Sequence, residues 1–125
     1  MARTIITAPG IFVPPPAYSH AVKAAGLVFV SGIGAFDAHG TIIGETAAEQ
    51  VAQALRNISA ILAAAGTSLS NAVSATLLLA DAADFPAANA EWLAWFPVDP
   101  PSRKVVQLGA RVANLKVSIE LIAAV

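Results

Sequence analysis

Residues 46–66 constrain the chain most, because they admit one regular structure and dictate what must surround it. Thr46 precedes Glu49 by three positions, the spacing at which a hydroxyl accepts from a free backbone N–H while the carboxylate reaches back. Val51, Leu55, Ile58, Leu62 and Ala65 recur in steps of four and three, one apolar stripe, and Gly66 supplies the C-terminal stop. Gln53, Arg56 and Asn57 mark a more polar side. A helix with a single apolar stripe has to lie on another layer. Its neighbours along the chain are short apolar runs rich in β-branched residues, Leu27 to Ser31 before it and Ala72 to Ala80 after it, which have the length of strands.

The remaining elements follow from turn residues and periodicity. Thr4, Ile5 and Ile6 form a short apolar stretch before the stiff run of Pro14, Pro15 and Pro16. Ala17 to Ala24 reads as a strand led by Tyr18, with Tyr18, His20 and Val22 on one face, and Gly26 turns the chain into Leu27. Asp37, Ala38, His39 and Gly40 form a turn before Thr41, Ile42 and Ile43. Asp81 and Asp84 are N-cap candidates for a second helix, Pro86 is tolerated in its first turn, and Phe85, Ala88, Trp92 and Phe96 form its stripe. Beyond Pro97 and the Pro100–Pro101 corner come strands from Arg103 to Leu108 and from Lys116 to Ala123. The order β-β-α-β-α-β-β, without repeats or linkers, predicts one α+β domain over 1–125. Its two helices cover one face of a mixed sheet as crossover connections.

Composition enters here, because that architecture leaves the other sheet face bare. Apolar residues make up 57% of the 125 and charged residues 12%, against roughly 45–50% and 25% in ordinary domains. A small domain cannot hide such a surplus by itself, which predicts sheet-to-sheet packing of subunits in a homo-oligomer. A net charge of −1 gives no basic footprint for nucleic acid. The longest apolar runs fall far short of a membrane span, and Arg3 followed by Pro-rich sequence does not read as a leader. The absence of cysteine excludes thiol chemistry and fits the cytoplasm.

Five polar residues stand where an apolar one would serve the pattern better. Ser31 ends a strand on the face of Leu27 and Phe29; it either bonds nearby backbone or faces a site. Asn89 lies in the second helix's apolar stripe, four residues from Phe85 and three from Trp92, and either bonds a loop or serves a ligand. Tyr18 is a half-buried ring or a pocket hydroxyl. Glu120 interrupts the last strand on the side of Ser118 and Ile122, and either faces solvent, pairs with Arg103 or acts on a ligand. Arg103 follows the Pro-Pro corner, either as solvated trim or as an anion anchor. Arg56, Arg111 and Lys116 read as solvated faces, and His20 and His39 are not spaced for a metal. Gly32 and Gly34 form a G-x-G with no third glycine opening a helix, so no nucleotide fingerprint is present. Ser31, His20 and Asp37 lack the nucleophile elbow a hydrolase triad needs.

Taken in order, Ala17-Tyr18-Ser19, Val30-Ser31-Gly32, the capped helix ending in Ala65-Gly66, Asp84-Phe85 leading to Asn89, Pro101-Ser102-Arg103 and Ile119-Glu120 resemble the Rid/YjgF family of imine deaminases, nearly end to end. The resemblance implies a chorismate-mutase-like α+β fold and a homotrimer with sites at subunit interfaces. It also implies hydrolysis of enamines and imines such as 2-aminoacrylate and 2-iminopropanoate to a 2-keto acid and ammonia, with no cofactor or metal. Carried onto matching positions, it makes Arg103 the carboxylate clamp and Glu120 the general base or water holder. Tyr18, Ser31, Gly32, Asn89 and the Val105 backbone would form the substrate-binding set. Val105 stands where many members carry Cys, Lys104 replaces a small residue, His20 replaces a commoner Gln and would titrate near the site, and the loop from Pro97 to Ser102 is short for the family. Those departures leave two other readings open. One is a dedicated catabolic deaminase, for instance on an aminomuconate-type product; the other is a non-catalytic ligand-binding or chaperone-like protein.

Overall fold

The computed structural model describes residues 2–109 and 112–125, so Arg111 lies outside the described residues. Helix α1 (Ala47–Ala64) forms where the pattern puts it. The Glu49 N–H donates to Thr46 Oγ1 at 3.1 Å, the Thr46 hydroxyl donates to Glu49 Oε1 at 3.2 Å, and Glu49 Oε2 accepts from the Glu45 N–H at 3.4 Å. At the other end Gly66 turns to a φ of +87°, and the N–H groups of Gly66 and Thr67 donate to the carbonyls of Ala63 and Leu62. Val51, Leu55, Ile58 and Leu62 are fully buried.

One side of α1 differs from the sequence reading. Asn57, expected on the polar side, is buried, and its amide donates to the carbonyls of Gly34 at 3.2 Å and Phe36 at 2.9 Å. Gln50, also buried, donates to the carbonyls of Gly44 at 3.0 Å and Asn114 at 2.7 Å and accepts from the Lys116 N–H at 2.8 Å. Loop backbone that packs against a helix needs hydrogen-bond partners away from water, and these two amides supply them.

Among the described residues six strands build one sheet in the order β1-β2-β3-β6-β4-β5: β1 (Thr4–Ile6), β2 (Ala21–Ala24), β3 (Leu27–Ile33), β4 (Ala72–Leu79), β5 (Ser102–Gln107) and β6 (Val117–Ala124). β4 and β5 pair in parallel, and the other four pairings of these strands are antiparallel. α1 crosses from β3 to β4 on the far side of β6, and α2 (Phe85–Trp95) crosses from β4 to β5. Val28, Val30, Leu77, Leu79, Val117, Ile119, Leu121 and Ala123 line the covered face. Phe29 and Val106, on the opposite face, remain 41% and 40% exposed. The two-layer α+β plan is therefore as expected, with one strand more: β1 exists by pairing Thr4–Ile6 with β2, a contact that three residues do not announce.

The second strand begins later than expected. Ala17 to His20 precede the strand as the end of a turn and irregular backbone, so Tyr18 does not alternate with His20 and Val22 on a strand. His20 accounts for the difference. Its buried ring accepts from the Ala8 N–H at Nδ1, 3.0 Å, and lies 2.8 Å from the Phe12 carbonyl at Nε2. Those partners require the neutral tautomer protonated at Nε2. The ring also packs edge-on against Phe12, 4.9 Å between centroids, and fastens residues 8–12 beneath the turn. Asp81, not Asp84, makes a side-chain cap, accepting from the Ala83 N–H at 2.9 Å at the start of a 3-10 turn that leads into α2.

Candidate active site

Register decides which polar residues share a face. Glu120 pairs with Thr76, and Thr76 pairs with Lys104, so these three project from the open face of the sheet. Arg103 pairs with Ala75, and Ala75 with Leu121, so Arg103 projects toward the helices. Arg103 and Glu120 are thus on opposite faces and do not form the pair that their proximity in sequence pattern allowed.

On the open face the carboxylate is built into a bulge. Val30 pairs with Leu121 and Ile33 with Ile119, which leaves Ser31 and Gly32 together opposite Glu120. Two residues against one is a β-bulge, and it turns both toward the carboxylate's row. Glu120 Oε1 accepts from the Thr76 hydroxyl at 2.8 Å, and among the described residues Oε2 has no hydrogen-bond partner. Thr76 is the residue the sequence reading missed; its signal was a lone hydroxyl in the apolar run Ala75 to Ala80. The Ser31 hydroxyl donates to the Ser19 carbonyl at 2.6 Å, so its lone pairs remain free to accept. Gly32 has little spare room: a Cβ there would stand 3.2 Å from Ser118 Oγ. Tyr18, 36% exposed, has its phenol pushed above the usual range by burial and stays protonated at neutral pH.

On the helix face Arg103 is held rather than free. Its Nη1 donates to Asn89 Oδ1 at 2.8 Å. Its guanidinium carbon lies 5.3 Å from the Trp92 ring centroid and 5.8 Å from that of Phe85. The residues spaced four and three around Asn89 are therefore the ones that face the guanidinium, a cation–π enclosure. With a single side-chain acceptor among the described residues, most of the five N–H donors remain available to an anion. Val105 follows on the same face of β5, half-exposed. His20, expected to titrate near the site, is instead buried structure, and burial lowers its pKa. Among the described residues no three His, Asp or Glu side chains gather as a metal site, and no helix is long and apolar enough to cross a membrane.

An α+β sheet covered on one side, with an oriented guanidinium near one edge and a carboxylate across a bulge on the other face, defines a two-layer class of protein whose candidate polar groups are divided between two surfaces. Comparison with known proteins gives that class its family. Residues 12–125 match the family described as Endoribonuclease L-PSP. The chain is 40% identical over 107 residues to the chloroplastic Reactive Intermediate Deaminase A of Arabidopsis thaliana, covering 85% of this chain and 57% of that protein. It therefore spans little more than half of that relative's length. It is 36% identical over 124 residues to the human 2-iminobutanoate/2-iminopropanoate deaminase, covering 97% of this chain and 88% of that one. The structure superposes on RidA of the Antarctic bacterium Psychrobacter with a TM-score of 0.89 at 32% identity, over 98% of this chain and 99% of the other. The chain belongs to the Rid/YjgF family.

Proposed function

We propose that this protein hydrolyses small 2-imino acids, of the 2-iminopropanoate and 2-iminobutanoate kind, to the 2-keto acid and ammonia. The observation that carries the reading is Arg103, pre-positioned by Asn89 and two aromatic rings with donors left over for a carboxylate. Charge-assisted bonds of that type contribute roughly 1.5–3 kcal/mol each, enough to separate acids from neutral analogues. The oxygen of a water then bonds to the iminium carbon as the C=N π bond breaks, and one water proton passes to Glu120 Oε2. That proton returns to the nitrogen of the carbinolamine, the C–N bond breaks to release ammonia, and the remaining hydroxyl gives up its proton as the keto C=O forms. Thr76 holds the other carboxylate oxygen, Ser31 accepts from the iminium N–H, and the Tyr18 phenol donates to the developing oxygen. The same residues serve whether Glu120 removes the proton or only orients the water. The uncatalysed reaction is already fast, so a modest lowering of the barrier suffices.

The two groups of residues lie on opposite faces of one sheet, which supports a site completed between copies of the chain, in a homotrimer. One copy supplies Arg103, Asn89 and the Val105 backbone, and its neighbour supplies Tyr18, Ser31, Gly32 and Glu120. Release of keto acid from enzymatically generated 2-iminopropanoate tests the chemistry. Wild-type protein should exceed the buffer rate, and Arg103→Ala and Glu120→Gln should each fall to it. Mixing the two inactive variants under exchange tests the geometry: random reassembly restores about a quarter of the wild-type rate if the halves come from different copies. No recovery would place both halves in one chain, against the split proposed.

A further inference from the structure

Beside the Arg103 anchor lies a cleft from which the hydrolysis takes only the Val105 backbone. Between β5 and the start of α2 a space of about 390 Å3 is lined by Leu79, Ala82, Phe85, Val105, Val106 and Gln107. Two of its walls also border the anchor. Phe85 forms one wall and also stands 5.8 Å from the guanidinium carbon. Val105, another wall, follows Arg103 on the same face of β5, about 7 Å along the strand. Because α2 returns antiparallel to β5, Asn89 and Trp92 close the side toward the strand's start, and Phe85 lies over its continuation. A carboxylate on Arg103 thus has its substituent blocked in one direction and met by an open, aliphatic and aromatic space in the other. The one polar liner, Gln107, already donates its amide to the Ala80 carbonyl at 2.9 Å.

We infer that this cleft is a side-chain subsite, and that it selects 2-imino acids whose substituent is an unbranched or branched aliphatic chain longer than those of 2-iminopropanoate and 2-iminobutanoate. The inference rests on the reading of Arg103 as carboxylate anchor. Cation and cleft are complementary to the two ends of such a molecule, and the space falls within the range of small-ligand sites, ~300–1,000 Å3. Val105 adds branched apolar surface to this wall. Each methylene moved from water into such a wall raises kcat/KM by about fourfold. A polar or anionic side chain would lose hydration there without finding a partner.

The test compares kcat/KM for imino acids generated in situ from alanine, 2-aminobutyrate, norvaline, norleucine and glutamate by an amino-acid oxidase. Wild-type protein should show a rise of about fourfold per methylene along the aliphatic series and no such gain for the glutamate product. Ala82→Phe, in the exposed 3-10 turn, fills the cleft and should collapse the ratio of norleucine-derived to alanine-derived rates toward one; Val105→Ala should lower that ratio more modestly. A flat series that Ala82→Phe leaves unchanged, while 2-iminopropanoate is still turned over, overturns the subsite and keeps the Arg103 anchor. Absence of turnover on every substrate removes the anchor and the subsite together. A change of oligomeric mass by light scattering on Ala82→Phe, with the ratio intact, would mean a second copy occupies the cleft, and overturns the subsite as well.

Discussion

At the scale of single residues, Asn89 and His20 do opposite things with the same resource, a side chain holding a hydrogen bond. Asn89 accepts from Arg103 and leaves the guanidinium its full charge. Replacing it by Ala should cost about tenfold in kcat/KM, the worth of one charged hydrogen bond. Asn89→Asp should cost more than Ala although it keeps the acceptor, because an internal carboxylate competes with the substrate's. Steady-state kinetics of the two variants decides it, and an Asp variant as active as wild type would contradict the clamp. His20 spends both nitrogens on backbone, and protonating Nδ1 would lose the Ala8 bond. Burial lowers its pKa below the ordinary 6.5, so the unfolded chain takes a proton before the folded one does. Its contribution to stability is therefore complete above 6.5 and declines as pH falls from there toward the folded value. His20→Gln, which can accept and donate at the same places without titrating, should lose less in thermal midpoint than wild type between about pH 7.5 and pH 5.5. An equal loss would remove His20 from the acid sensitivity.

At the scale of elements, α1 is held by more than its apolar stripe. Gln50 binds the carbonyls of Gly44 and Asn114 and the N–H of Lys116, tying the helix to the loop before it and to the segment that leads into β6. Gln50→Leu keeps the volume and leaves three part-buried backbone groups without their partner, which should lower unfolding free energy by about 1–3 kcal/mol in a denaturant titration. Thr46→Ala removes one capping acceptor at an exposed end and should cost only about 1 kcal/mol. The sequence distinguished these two badly. The cap is local, three residues apart, and could be read directly. The Gln50 clamp joins groups 64 and 66 positions apart, and helical periodicity says nothing about loop carbonyls.

At the scale of the whole molecule, the open face of the sheet is the surface that matters. Phe29 and Ile122 pair across β3 and β6 there, Val22 lies beside Phe29, and Glu120 rises from the same face. If copies pack on it to complete the site, Phe29→Asp should shift the mass toward monomer in light scattering and lower activity in proportion, without touching any group placed at the substrate. A variant that remains assembled and active would exclude this face as the contact.

Residues 46–66 and the runs around them determined, by sequence alone, the two-layer plan, because capping and apolar periodicity act over a few residues and survive without a partner. The sequence also singled out Arg103, Asn89, Ser31 and Glu120, each a polar group breaking a local apolar pattern. Only the tertiary structure decided how they combine. Strand register put Arg103 and Glu120 on opposite faces, the bulge set Ser31 and Gly32 against Glu120, and α2 brought Asn89 onto Arg103. Register depends on which distant strands pair, and a shift of one residue reverses every side chain, so no local reading of the chain contains it.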